Sequence, residues 1–199
     1  SEMCIRDSHT VSSSLSMLED EKEAITKQMQ HLQKLQKNVE HRLNTIHSAF
    51  SLPLDEIHLM TLPPRHCHRL SERYKHEEEM DFLMKQLINL NQNRLYIIGS
   101  NQMGTMISLP SLLKKKTLSY QSVFLIDEEG ADLIDGGDYL CVTYRGNYEQ
   151  SAYWGQQLAQ YAHAHKFKIR GDLLEILWID IHTTSDESEY ITQLQLPIA

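Results

Sequence analysis

The chain has 199 residues, 41% of them hydrophobic, which is enough for one domain with a core plus an appendage and argues against wholesale disorder. Its 27 acidic and 19 basic residues leave a net charge of −8, unsuited to gripping a phosphate backbone unaided. No apolar run approaches the roughly 18 residues of a membrane span, and no basic start with an apolar stretch marks a secretory leader. Cys4, Cys67 and Cys141 make no disulfide framework; an odd thiol count fits a reducing, cytoplasmic setting.

Residues 1–10 (SEMCIRDSHT) lack periodicity, and 1–14 reads as a leader foreign to the fold. Residues 15–50 predict one long helix. Leu18, Ile25, Leu32, Val39 and Ile46 recur every seven positions, with Lys22, Met29, Gln36, Leu43 and Phe50 between them. This 4-3 spacing is the seam of a coiled coil. Ser13 or Ser14 is the expected N-cap. At about 1.5 Å per residue the helix runs about 50 Å, so pairing with a second copy is preferred over a helix lying across its own domain. Lys22 and Gln36 on the seam weaken the pairing and fix its register. Its orientation, parallel or antiparallel, stays open.

Leu52-Pro53-Leu54-Asp55 breaks the helix, and residues 51–56 read as a linker. Residues 57–199 form the second domain. Segment 57–74 reads as a strand interrupted by Pro63-Pro64, which confines it to an edge or a bulge. Residues 77–92 predict an amphipathic helix with Met80, Leu83, Met84, Leu87 and Leu90 on its apolar face. Strand-like runs follow at 94–108 and 118–126, with Lys114-Lys115-Lys116 as a solvated loop between them. Tyr139–Tyr144 predicts a strand, Glu149–His165 a helix, Ile169–Ile181 a strand and Tyr190–Ile198 the last strand. The order strand-helix-strand-strand therefore occurs twice, each time over about 65–75 residues. Local correspondence of the halves sets Met103 where Glu175 stands. The expected fold is α+β: a long N-terminal coiled-coil helix, then a duplicated β-α-β-β domain with a mostly antiparallel sheet. A cleft between the halves is a natural ligand site.

Glu175 is the informative residue of the second half. It interrupts an otherwise apolar strand of Leu173, Leu174, Ile176, Leu177, Trp178 and Ile179. An unpaired buried carboxylate is costly and has its pKa raised unless something stabilises the charge. A bound cation does so, and tyrosine faces add cation–π attraction of about 0.5–2 kcal/mol each. The alternative is a structural acid bonded to tyrosine or backbone groups. Strand alternation groups Glu175 with Leu173, Leu177 and Ile179 and turns Trp178 to the other face. Tyr144, Tyr148, Tyr153 and Trp154 gather near the start of the second helix, where core packing and ligand contact are both open.

Metal and catalytic motifs are weak. His66-Cys67-His68 puts two imidazoles on one strand face and the thiol on the other, and His163 and His165 diverge by about 200° on a helix. Neither has the spacing of a zinc clip, so no metal and no cofactor is expected. Cys67 and Cys141 read as small buried strand residues.

Four segments carry a resemblance: Gly137-Asp138-Tyr139-Leu140-Cys141-Val142-Thr143-Tyr144, the helix with Leu158 and Tyr161, Gly171-Asp172-Leu173-Leu174-Glu175, and Glu189-Tyr190 running to Leu196-Pro197-Ile198. Together with the long helix, their order over residues 15–199 resembles MerR-family multidrug-sensing regulators of the BmrR type, whose C-terminal part is the GyrI-like (AraC effector-binding) domain. The resemblance implies that the family's cation-neutralising glutamate falls on Glu175 and its pocket tyrosines on Tyr120 and Tyr190. A further pocket tyrosine falls on Ser151, a departure for which Tyr148, Tyr153 or Trp154 stands nearby. The family's winged helix-turn-helix precedes residue 15, so DNA contact is expected only through an N-terminal domain missing from this sequence. The expected function is that of a ligand-sensing, homodimeric part of a transcription regulator, paired through residues 15–50, whose partner is a hydrophobic, cationic small-molecule effector. Two alternatives belong to the same fold: a hydrolase of small electrophilic compounds using Glu175 as base, and a stand-alone protein-binding module.

Overall fold

The computed structural model describes residues 10–71, 85, 102–114 and 118–199. By contacts the chain divides into two units, Ser1–Glu40 and His41–Ala199. The predicted helix over 77–92 lies outside the described residues apart from Lys85, which is helical. Residues 1–9 and 94–101 also lie outside them.

One helix, α1, runs Val11–Ala49 across 39 residues. It begins before the expected start at 15 because Thr10, not Ser13 or Ser14, is the cap. Thr10 Oγ1 accepts from the Ser13 N–H and Ser13 Oγ accepts from the Thr10 N–H, both at 3.1 Å, a reciprocal box that satisfies two orphan donors. In the first unit Leu18, Ile25, Leu32 and Val39 are all exposed. Across the exposed surface Lys27 pairs with Glu23 at 2.7 Å, and Gln36 donates to Glu40 at 2.9 Å. Both are spacings at which helix side chains meet.

In the second unit the last turns of α1 dock on the sheet. Ala49 and Ile46 pack with Ile179, Ile191 and Trp178. Arg42 donates to the Trp178 carbonyl at 3.3 Å and to Thr183 Oγ1 at 2.5 Å. Among the described residues eight strands form one sheet: β1 His58–Leu62, β2 Arg65–Leu70, β3 Met103–Ile107, β4 Tyr120–Ile126, β5 Asp132–Ile134, β6 Gly137–Arg145, β7 Leu173–Ile179 and β8 Ile191–Pro197. Pro63-Pro64 splits the segment 57–74 into β1 and β2, and β1 does take a sheet edge. Three further elements were not read from the sequence: the three-residue strand β5, a short helix α2, Leu109–Leu113, and a single 3-10 turn, Glu187–Glu189. The second-half helix, α3, runs Gln150–Ala164.

The strand order is β1-β6-β8-β7-β3-β4-β2-β5, and every pair is antiparallel. It reads the same from either end once the halves are exchanged. Strands β2, β3 and β4 mirror β6, β7 and β8 about the β3–β7 seam, while β1 pairs with β6 and β5 with β2, each crossing to the other half. The sheet is α+β in class and curled. The curl brings Arg65 of β2 to Gln195 of β8, although β4, β3 and β7 lie between those strands in the sheet.

Strand alternation then makes two cores. The helix side holds Leu140, Val142, Tyr144, Leu158, Leu173 and Leu194, with a second group of Met103, Val123, Leu125 and Leu177. The other side holds Cys67, Phe124, Tyr139, Cys141, Leu174 and Ile176. A register shift between Leu177 and Ile179 turns Ile179 out of the Glu175 row that alternation assigned it to, and it packs under α1 instead.

Candidate functional site

Glu175 sits in the middle of β7, which is paired on both edges, by β3 and by β8. It is 1% exposed, between Leu173 and Leu177 on the helix side. The register sets Thr105 of β3 directly opposite it across the seam. Met103 is opposite Leu177.

Two hydroxyls hold the carboxylate. Thr105 Oγ1 donates to Oε2 at 2.8 Å. Ser151 Oγ donates to Oε1 in a short hydrogen bond, and the Tyr144 hydroxyl is 2.7 Å from the same Ser151 oxygen. Thr105, Tyr144 and Ser151 are each fully buried. Ser151 stands in the first turn of α3, so the carboxylate also meets the positive end of that helix dipole. Both of these donors are neutral hydroxyls.

The loop between β6 and α3 places the next aromatic side chain. Gly146 has φ +113, a conformation that a side chain resists, and its N–H donates to the Tyr190 carbonyl at 2.9 Å. Gln150 Nε2 closes the loop onto the Arg145 carbonyl at 2.8 Å. Thus tied, Tyr148 stacks on Tyr190, with ring centroids 5.4 Å apart and planes at 26°. Tyr148 also packs on Met103, Val123, Leu125 and Leu177, while Tyr120 touches both helix-side groups. Burial pushes the Tyr148 hydroxyl far above its ordinary range, and the charges of Asp180 and Glu175 push the same way.

The structure thus gathers Glu175, Tyr144, Tyr148, Tyr190 and Tyr120 about the seam. It does not bring Tyr153 there: that ring is 58% exposed and meets Trp154 edge-on at 5.1 Å. Trp154 packs on the apolar group around Leu158. Sequence reasoning missed Thr105, which only the pairing register identifies. It named Ser151 as a departure without seeing that its hydroxyl bridges Tyr144 and Glu175. It also missed Thr192, fully buried opposite Leu177 and Tyr144, whose Oγ1 has no partner among the described residues. Asp180, 4% exposed, accepts from the His182 N–H at 3.0 Å. His66 Nδ1 meets the Gly130 carbonyl at 3.1 Å and His68 Nε2 lies 3.4 Å from Asp127. Among the described residues no group of three or more His, Cys, Asp or Glu is arranged to hold a metal ion. None of the described helices is long and apolar enough to cross a membrane.

No protein-family model matches the chain, and no curated protein matches it in sequence. Solved structures do resemble it. One is EcmrR in the EcmrR–DNA complex of EcmrR-RPo, at 14% identity over 96% of this chain and 77% of that one, with a TM-score of 0.59. Another is the EcmrR C-terminal domain, at 15% identity over 72% of this chain and 97% of that one, with a TM-score of 0.55. At such identities the likeness is one of fold: a long helix followed by a curled antiparallel sheet.

Proposed function

We propose that this chain is the ligand-sensing and dimerisation part of a MerR-type transcription regulator, and that it binds a hydrophobic organic cation at Glu175. One observation carries the reading. A carboxylate 1% exposed is kept at the seam of the two halves by neutral hydroxyl donors from β3 and α3, beside a stack of two tyrosines. A cation entering there gains the Coulomb attraction of a buried carboxylate and the faces of Tyr148 and Tyr190. Tyr120 and Tyr144 complete the lining, and the buried Thr192 hydroxyl offers a hydrogen bond to a polar group on the ligand. Tyr153 and Trp154 contribute from outside this cluster, through the packing of α3.

Transmission runs through β7. The strand holds Glu175 in its middle and, at its end, offers the Trp178 carbonyl to Arg42 of α1. A ligand shifts this joint only if it prefers one arrangement of it. Pairing of two copies along the exposed row of α1 passes the change to DNA-binding domains N-terminal to this sequence. The fold shared with EcmrR, solved on DNA, supports the regulator reading over a hydrolase.

The test is a thermal-shift screen of hydrophobic cations, matched neutral compounds and anions on the wild type and Glu175→Gln. Stabilisation by cations alone, lost in the variant, is expected. Equal shifts in both proteins would sink the role of Glu175 in ligand binding and leave it a structural acid.

A further inference from the structure

Asp180 directly follows β7, and the sensor reading gives it no role. It is 4% exposed, although the chain leaves the sheet here and Ile181, the next residue, is 62% exposed. A carboxylate buried at a strand end needs hydrogen bonds and a counter-charge. Its backbone anchors a tight turn: the Asp180 carbonyl accepts from the Thr183 N–H at 2.8 Å and from the Thr184 N–H at 3.1 Å. Its Oδ1 accepts from the His182 N–H at 3.0 Å and, at a long 3.4 Å, from Thr183 Oγ1.

Two parts of the domain meet at this carboxylate. On one side Arg42 of α1 donates from Nη2 to Thr183 Oγ1 at 2.5 Å, so a chain of hydrogen bonds runs from Arg42 through Thr183 to Asp180. Burial pulls the Arg42 guanidinium below its ordinary range, and the charge of Asp180 opposes that shift. The same guanidinium holds α1 on the Trp178 carbonyl. On the other side, Ile179 pairs with Ile191, which leaves Asp180 and Tyr190 as neighbours where the β7–β8 ladder ends. Tyr190 carries the stacked ring of Tyr148. The Tyr148 hydroxyl, raised first by its own burial, is raised further by the charge of Asp180 and then by that of Glu175. Asp180 thus stands between the tyrosine stack and the joint of α1 with the sheet.

We propose that Asp180 is a positioning residue that ties the seat of α1 to the effector site: a cationic group at the Tyr148–Tyr190 stack and the Arg42 guanidinium are rival counter-charges for its carboxylate. The inference rests on the cation reading of Glu175 and adds the group that carries the ligand's charge to α1. Without ligand, Asp180 is drawn through Thr183 to Arg42, and the guanidinium keeps α1 on β7. A cation at the stack draws the loosely held carboxylate away, at the expense of Arg42. Linkage makes the effect reciprocal, so removing the charge of Arg42 must tighten cation binding.

Calorimetric titration with benzyltributylammonium at fixed ionic strength tests this on wild type, Arg42→Gln, Arg42→Lys, Asp180→Asn and the double variant Arg42→Gln with Asp180→Asn. Asparagine keeps an acceptor for the His182 N–H, so the turn is preserved. Two partly screened unit charges about 10 Å apart change an affinity about fivefold. Arg42→Gln should therefore bind the cation about fivefold more tightly than wild type, and Asp180→Asn about fivefold more weakly. Arg42→Lys keeps the charge and should bind like wild type, whereas a merely structural role would make the Lys and Gln variants alike. In the double variant the gain from Arg42→Gln should vanish, because the shared carboxylate is gone. Wild-type binding that Arg42→Gln leaves unchanged, or a gain undiminished in the double variant, overturns the proposal and leaves the Glu175 reading standing. No binding by the wild type overturns both. If Asp180→Asn does not fold, the comparison of the two Arg42 variants still decides.

Discussion

Thr105 and Glu175 stand opposite each other at the centre of the sheet, 70 positions apart in sequence and joined by a 2.8 Å hydrogen bond. Their strands pair at the central seam between the two halves of the domain. The buried acid therefore lies on the axis about which the halves repeat, with hydroxyls from both halves on its oxygens. A ligand there touches both halves at once.

Thr105→Val keeps shape and removes the donor. A hydrogen bond to a charged, buried group contributes about 1.5–3 kcal/mol, so the variant should lose that much stability in urea denaturation. Adding Glu175→Gln should restore part of it, since a neutral amide needs the hydroxyl less. Strict additivity of the two changes would show that Thr105 and Glu175 do not act as a pair.

Gly104, beside Thr105, allows β3 to lie flat between its neighbours. A Cβ there would come within 2.4 Å of the Phe124 ring and 2.6 Å of the Glu175 carbonyl oxygen. Backbone cannot yield as a flexible side chain does, so Gly104→Ala should destabilise by about 1–3 kcal/mol. Gly171→Ala is the control: its Cβ meets Pro197 at an ordinary 3.6 Å. Thermal unfolding of the two variants side by side measures the difference; similar midpoints would mean that β3 has room the geometry denies.

How much of this was legible in the sequence follows from the range of the signals. Heptads and alternation are local, so α1, the strands of the second half, α3 and the buried Glu175 all stood out. The β5 strand has three residues, too few for a period to appear. Partners across the seam are set by register, which no local pattern carries; hence Thr105 was missed. The shift between Leu177 and Ile179 likewise flips a residue that strict alternation fixes. Thr10 was overlooked as a cap because it adjoins an aperiodic leader. Tyr153 and Trp154 are neighbours in sequence of Ser151, but on a helix adjacent residues point apart by about 100°, so one cluster in sequence becomes two places in space.

The row of exposed apolar residues on α1 bears on the proposed pairing. Leu18, Ile25 and Leu32 are 61%, 56% and 62% exposed, an unusual display for one helix face. If two copies pair along it, Leu32→Glu puts charges into the seam and should convert a dimer to a monomer in sedimentation equilibrium. A wild-type chain that sediments as a monomer at tens of micromolar, on the order expected for weak helix pairing, would remove the dimer from the proposal.

Alkaline pH should unfold the domain through groups that burial keeps protonated. Burial pushes the Cys141 thiol from an ordinary 9.0 up to about 12, and Tyr148 and Tyr139 are raised in the same direction. Each holds its proton longer folded than unfolded, so the unfolded chain binds fewer protons above pH 9 and stability falls as pH rises. The contribution of Cys141 is fully present below pH 9 and is lost by about pH 12, when the thiol ionises in the folded state too. Three pH units correspond to about 4 kcal/mol at most. Cys141→Ala removes that titration, leaving Cys67, which burial raises in the same direction, and the tyrosines, whose effect begins nearer pH 10. Denaturant midpoints measured from pH 8 to 11 should therefore fall less steeply in Cys141→Ala, with the divergence opening between pH 9 and 10. Parallel curves would mean that the Cys141 thiol reaches water in the folded protein, against its complete burial between β1 and β8.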